Sequence, residues 1–454
     1  MKVMSLIISG TVVLMISACG SALKSQYVSP KVNYPPKWQT AFAEKGVNTP
    51  FSWQDFNDPK LNNWLKRVSE NNSNLAIAAL RLNKAKLVVQ ALDVEQSPSF
   101  KAGLAATVNH SLLSSQTVSQ ATSFGLTTGY ELDLWGKLAR QRDAADWETQ
   151  ATEQDVTAAG LSLLATASQN YWQLAFINRR LELAQENIDD AHRILTLVNV
   201  RHAAGKVSGL EPVTAESNVL EQENAYFVLQ HAREILLNAQ ATLLGAPPGT
   251  KIDAPTPLAK ITLPAINPGI PAAVLQNRPD VKAGEMRLRK ALNQTDIKRL
   301  QYYPSFSLTA ELGTHSAALV NFMSHPLLSV GSAISLPFVE WRKMNLDVQL
   351  SENDYQQQKI AFTQTLYHAM GEIDNALSLR AELQSEQIKV QQALLLATQS
   401  ARLNAVRYRQ GRSTLDVLLD AQQSRRRAEL AVDENRLRQY QNLAQIYLAL
   451  GGES

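Results

Sequence analysis

The stretch with the most chemistry in it is VRYRQGRSTLDVLLDAQ, Val406–Gln422, where a helix-forming run stops at Gly411 and restarts with two carboxylates, Asp416 and Asp420. Four residues apart on a helix, they share one face. Set around an axis by several copies of the chain, such a pair makes a ring of like charges that attracts cations and governs access to a pore. Asp416 alone also suits the positive end of a helix capped by Ser413 or Thr414. Asp420 lies beyond the first turn, where the dipole explains it poorly. Gly411 reads as the C-cap of the preceding helix, and Arg407, Arg409 and Arg412 offset that helix's negative end. Tyr408 fits seam packing equally well.

Other chemistry is absent. The sequence has no phosphate-cradling glycine motif, no HExxH and no cysteine pair, so neither metal nor cofactor is called for. The histidines are far apart: His192 and His202 on or near a helix end, and His110, His315 and His325 in or beside strand-connecting loops, where metal binding at an outer mouth is a minor reading. Glu372 and Asp374 cannot face each other as an acid/base pair, so an enzyme is not expected. The net charge of +3 with 19% charged residues excludes a nucleic-acid binder. Arg425, Arg426 and Arg427 read as a solvated helix face.

The elements that position these residues begin with an export signal over residues 1–18. Lys2 is a minimal n-region, Leu6 to Met15 the apolar stretch, and Ser17-Ala18 the small residues of a cleavage site. Cys19, the chain's one cysteine, follows in ISAC, which resembles the lipobox of bacterial lipoproteins. That resemblance makes Cys19 the lipidated N-terminus of the mature chain, and Gly20 after it implies sorting to the outer membrane. No later stretch reaches 18 consecutive apolar residues, so a mature chain that crosses a membrane must use strands.

Slid on itself, the sequence matches at one offset of 206 residues (Arg287 against Arg81). Pro98-Ser99-Phe100 falls on Pro304-Ser305-Phe306, Trp135 and Lys137 on Trp341 and Lys343, and Arg201 and Gly205 on Arg407 and Gly411. The division is a lipid-anchored segment 19–57, a first repeat 58–246, a linker 247–271 and a second repeat 272–450. The linker holds seven of the 18 prolines, counted from Pro247 to Pro271. No proline lies between Pro98 and Pro212 or after Pro337, which leaves room for long helices at about 136–203 and 341–409. Heptad seams mark them, with Leu174, Leu181, Ile188 and Leu195 in one and Phe362, Ala369, Ala376 and Leu383 in the other. Roughly 65 helical residues span about 100 Å.

Strands are expected at about 99–109, 123–134, 305–313 and 328–338. In the first, Phe100, Leu104 and Val108 alternate with Ser99, Lys101 and Thr107, the pattern and length of an outer-membrane barrel strand. A soluble sheet covered on one face is the simpler alternative. Four strands cannot close a barrel in lipid, two chains give a filled one of eight, and three give twelve with a lumen. The expected fold is therefore mainly α with a membrane β-barrel, an internal two-fold repeat, and a trimeric 12-stranded barrel continued by a long periplasmic α-helical barrel.

On these features the chain resembles the TolC-like outer-membrane efflux proteins, in their lipoprotein branch. FSWQDFNDPKLNNWL, Phe51 to Leu65, resembles the family's opening segment, YELDLWGKLAR, Tyr130 to Arg140, its barrel-to-helix crossing, and NRPDVKAGE, Asn277 to Glu285, its second-half opening. The resemblance implies a homotrimer in the outer membrane, working with a periplasmic adaptor (membrane fusion) protein and an inner-membrane pump to pass drugs or other small toxic compounds outward. It also implies a periplasmic end closed by helical hairpins with a carboxylate ring and a latch. Tyr408 falls on the latch tyrosine, Glu211 on its acidic partner, Arg412 near the basic one, Asp416 and Asp420 on the ring, and Gly205 and Gly411 on the turns. Asp416 comes one residue sooner after its glycine than in the best-known pattern, and Arg412 also stands one position early. The alternative is a structural or adhesive periplasmic coiled-coil lipoprotein without a lumen.

Overall fold

The computed structural model describes residues 23–39, 52–110, 118–258, 263–266, 271–316 and 326–452. Cys19, the signal segment and His325 lie outside the described residues. In order, the elements are α1 (Pro59–Asn71), α2 (Ser73–Glu95), β1 (Ser99–His110), β2 (Val118–Leu132), α3 (Lys137–Ala203) and α4 (Leu210–Leu243). After the proline-rich linker come α5 (Pro271–Leu275), α6 (Pro279–Leu300), β3 (Ser305–Ser316), β4 (Pro326–Ser335), α7 (Trp341–Arg409) and α8 (Leu415–Leu450). Two compact units result: one gathers Leu80–Asp155 and Asp280–Thr365, and the other Asn33–Ala79, Val156–Pro279 and Leu366–Ser454.

The first unit holds a four-stranded antiparallel sheet in the order β1-β2-β3-β4. Register puts Leu104 opposite Phe124, Leu126 opposite Leu312, and Leu312 opposite Leu328. Residues directly opposite share a face, so the apolar sets of all four strands form one surface. Among the described residues nothing covers it: Phe100, Leu104, Leu312 and Leu328 are exposed, and Val330 is 78% exposed. The other face is polar. Among the described residues β1 and β4 each have one edge without a strand partner.

Two strand ends differ from the sequence expectation for backbone reasons. β4 stops at Ser335, short of Phe338, because Pro337 has no N–H for the ladder and starts a 3-10 turn over Pro337–Glu340. β2 stops at Leu132 because the next residue, Asp133, caps α3. Its carboxylate accepts the amides of Leu138 at 3.1 Å and Ala139 at 2.8 Å. Gly136, at φ +78°, makes the corner. The Trp135 indole donates to the Pro304 carbonyl at 2.7 Å, and Lys137 pairs with Glu131 at 2.6 Å. At its other end β2 begins at Val118, five residues before the alternating stretch.

The second unit explains the opening segment. Ser52 and Asp55 form a capping box around the turn Trp53–Phe56, and Asp58 caps α1 through the amides of Lys60 and Leu61. The same Asp58 carboxylate, 2% exposed, accepts the hydroxyls of Tyr171 at 3.0 Å and Thr256 at 2.8 Å. Phe56 inserts between Trp172 and Tyr447, with ring centroids 5.0 and 5.6 Å away. Arg278 of the NRPD stretch donates to the Ala449 carbonyl at 3.0 Å and to Glu372 at 2.7 Å, tying the start of the second repeat to α8 and α7. Helices α3 and α7 run 67 and 69 residues unbroken. Their seam residues Leu174, Ile188, Phe362, Ala369 and Leu383 are buried.

Candidate functional site

Both long helices end in the same way. At α3, the Gly205 amide donates to the His202 carbonyl at 2.8 Å and the Lys206 amide to Arg201 at 2.9 Å; at α7, Gly411 donates to Tyr408 at 2.9 Å and Arg412 to Arg407 at 2.8 Å. Gly205 at φ +67° and Gly411 at φ +73° supply the left-handed residue that this Schellman cap requires. Each chain therefore has two helical hairpins, α3–α4 and α7–α8, turning on equivalent glycines.

The hairpins meet in a small apolar core of Ile194 and Val198 from α3, Ala215 from α4, Tyr408 from α7, and Leu415 and Leu418 from α8. Tyr408 is 1% exposed. Its hydroxyl donates to Glu211 Oε2 at 2.7 Å, from the last turn of one long helix to the first turn of α4. Burial and the adjacent Glu211 carboxylate push the Tyr408 hydroxyl up to about 12, against the opposing pull of Arg201. The phenol is thus a committed donor at neutral pH.

Arg201 holds the same tyrosine from the other side. Its guanidinium carbon lies 4.4 Å from the Tyr408 ring centroid, and Nη1 donates to the Tyr408 carbonyl at 2.8 Å. That carbonyl, at the negative end of α7, already accepts the Gly411 amide and takes Arg201 as a second donor, so a cation of one hairpin caps the helix of the other. Tyr408 is pinned at three points: hydroxyl, ring face and backbone.

The aspartates stand apart. Leu415 and Leu418 turn into the core, while Asp416 and Asp420 sit on the exposed side of α8. Among the described residues neither makes an ion pair or hydrogen bond. Thr414 occupies the N-cap of α8 without a side-chain bond to the helix, so Asp416 is the acidic group available to its first turn. Arg412 is exposed too, and among the described residues its side chain bonds to nothing; the cation the structure brings to Tyr408 is Arg201.

The profile of the outer membrane efflux protein family matches residues 64–246 and 270–452, once over each half. The chain belongs to the outer membrane efflux protein family. Its place is the outer membrane and its work is efflux. This efflux protein is 27% identical to the pyoverdine export outer membrane protein OpmQ of Pseudomonas putida, over 92% of both chains. It is 25% identical to SilC of Salmonella typhimurium, described as a probable outer membrane lipoprotein, over 98% of both. Among solved structures, the open state of the MtrE outer membrane channel of Neisseria gonorrhoeae superimposes with a TM-score of 0.84 at 28% identity, covering 94% of this chain and 98% of that one.

In this efflux protein the structure brings Tyr408 and Glu211 together, sets Gly205 and Gly411 at the two turns, and leaves Arg412, Asp416 and Asp420 outward. Sequence reasoning missed Arg201 as a partner of Tyr408. A signal existed, because Arg201 falls on Arg407 in the repeat, but nothing in that match says which of the two arginines reaches across to the other hairpin. His110 and His315 stand at strand ends. Among the described residues no cluster of His, Cys, Asp or Glu is arranged to hold a metal ion.

Proposed function

We propose that this efflux protein assembles as a homotrimer whose twelve strands close one barrel, and that it passively conducts drugs or other small toxic compounds delivered by an inner-membrane pump through a periplasmic adaptor protein. The observation that carries the reading is the sheet: four strands of 10 to 15 residues, one exposed apolar face and, among the described residues, two edges without a strand partner. Lipid tolerates such a face and forbids such edges. Further copies of the same sheet satisfy both conditions, and three is the smallest ring that leaves an opening. A coiled-coil lipoprotein without a lumen gives that surface no role.

The hairpin ends are the gate of this channel. Tyr408 and Glu211 latch the two hairpins of one protomer, Gly205 and Gly411 make the turns, and Asp416 and Asp420 of three copies form an acidic ring that narrows the pore and draws cations. Arg412, without a side-chain partner among the described residues, is available to a neighbouring copy. The related MtrE has been captured in an open state, which fits an end of the molecule that moves. Cys19 anchors the mature chain by lipid.

Single-channel conductance of the purified protein in a planar bilayer tests the reading. The expected result is a small conductance that rises when Asp416 and Asp420 are both replaced by Ala. An oligomer that conducts in neither form sinks the channel. Cys19→Ser is expected to abolish incorporation of labelled palmitate in cells; persistent label refutes the anchor.

A further inference from the structure

On the polar face of the sheet, register lines up side chains in rows. Lys101, Thr127, Glu311 and Ser329 stand opposite one another across β1, β2, β3 and β4. The row on one side of them is Ser99, Gly129, Thr309 and Gly331, and on the other Gly103, Gly125, Gly313 and Leu327. Lys101 and Glu311 are thus the long charged side chains at this level, flanked by small residues across three strands. Glu311 uses that clearance. Its Oε1 lies where a Cβ added at Gly125 would come within 3.3 Å and one added at Gly313 within 3.8 Å, so the carboxylate rests over two glycines. Both charged residues are exposed, and among the described residues neither makes an ion pair or hydrogen bond.

We propose that Lys101 and Glu311 form a ring of balanced charge in the barrel lumen, a specificity site separate from the helical hairpins. The inference rests on the trimeric barrel proposed above, in which the apolar face meets lipid and the polar face lines the pore. Three copies then set three ammonium and three carboxylate groups at one level of the wall. Rings of charged side chains decide which ions a pore passes. With both signs present the ring is balanced, and it suits permeants that are neutral or carry both charges. The glycines keep the level open by letting Glu311 lie along the wall instead of across the lumen.

Reversal potentials under a KCl gradient read the ring directly. Lys101→Gln is expected to raise the cation-over-anion permeability ratio about twofold and Glu311→Gln to lower it by a similar factor, since three charges on the wall of an aqueous lumen are screened over about 10 Å in about 0.1 M salt. The double variant returns towards wild type. Conducting channels whose ratio is unchanged in both single variants overturn the proposal. A second readout needs no conductance: in intact cells, Glu311→Cys and Lys101→Cys are expected to react with a membrane-impermeant maleimide, and Leu312→Cys to be protected. Labelling of Leu312→Cys with protection of Glu311→Cys inverts the faces and overturns the ring. Absence of conductance in wild type and in the Asp416→Ala/Asp420→Ala form, with the labelling pattern as expected, removes the channel reading and the ring's role in selectivity together.

Discussion

Tyr408→Phe is the most direct test of the latch, because it removes one hydroxyl and leaves the ring in its core. The lost bond is a 2.7 Å contact from a buried phenol to a carboxylate. Hydrogen bonds to charged groups are worth about 1.5–3 kcal/mol net. Glu211 is half-buried and regains water when the phenol is gone, so the lower end applies, about 1.5 kcal/mol per chain. If three chains open together, the closed state loses about 4.5 kcal/mol, a shift of about a thousandfold in the open-to-closed ratio. Arg201→Ala removes a contact over the ring worth about 1 kcal/mol and a charged donor to a carbonyl. That carbonyl keeps the Gly411 amide at 2.9 Å and is not orphaned. Its opening effect is therefore comparable with that of Tyr408→Phe, not additional to a collapse of the helix end. The assay is open probability in planar bilayers, alongside cell entry of a bulky dye that the outer membrane excludes. Arg409→Ala, at an exposed position without a side-chain partner among the described residues, serves as control and is expected to behave as wild type. If Tyr408→Phe trimers are intact by cross-linking yet open no more than wild type, the latch reasoning is wrong.

Other consequences follow from the same geometry. Gly411→Ala forces a Cβ into φ +73° and is expected to cost about 1–2 kcal/mol, seen as a lower thermal midpoint by circular dichroism; Gly205→Ala, at φ +67°, should match it. Tyr408 holds its proton to about 12 in the latched state against an ordinary 10.0, so the latch is fully present below pH 10 and weakens as pH rises from there towards 12. Alkaline conductance should climb over that window in wild type and be flat in Tyr408→Phe. Asp58→Ala removes a helix cap and the acceptor of two buried hydroxyls. The expected loss is about 3 kcal/mol, measured as dissociation of the oligomer at lower temperature on a detergent gel, with the lipid label unaffected.

Much of this was legible because it repeats or alternates. The turn glycines stood at one offset with their arginines, and a left-handed cap is a local requirement that a sequence states by itself. The strand faces were written as period-two alternation in Ser99–Asn109. Where alternation fails, so does the reading: VSQAT, residues 118–122, belongs to β2 and gives no sign of it, since pairing with β1 rather than its own pattern holds it in the sheet. The stop of β4 was visible in Pro337 but outweighed by the apolar residues on either side of it.

The partner of Tyr408 was beyond reach for a different reason. Whether a residue near the end of α7 meets α3 depends on helical phase carried through more than sixty residues of each, and a small error per turn rotates the contact away. The repeat adds a second obstacle, because it is not exact where function lies. At the same offset, the position of Tyr408 is held in the first half by His202, which is exposed, and the position of Arg201 by Arg407, also exposed. A duplicated hairpin with both pairs kept would have latched twice and symmetrically. Instead one half supplies the cation and the acid, Arg201 and Glu211, and the other supplies the tyrosine and the outward aspartates. In the gate proposed above, that division makes the α7–α8 hairpin the part held by the other, and the part expected to move when the channel opens.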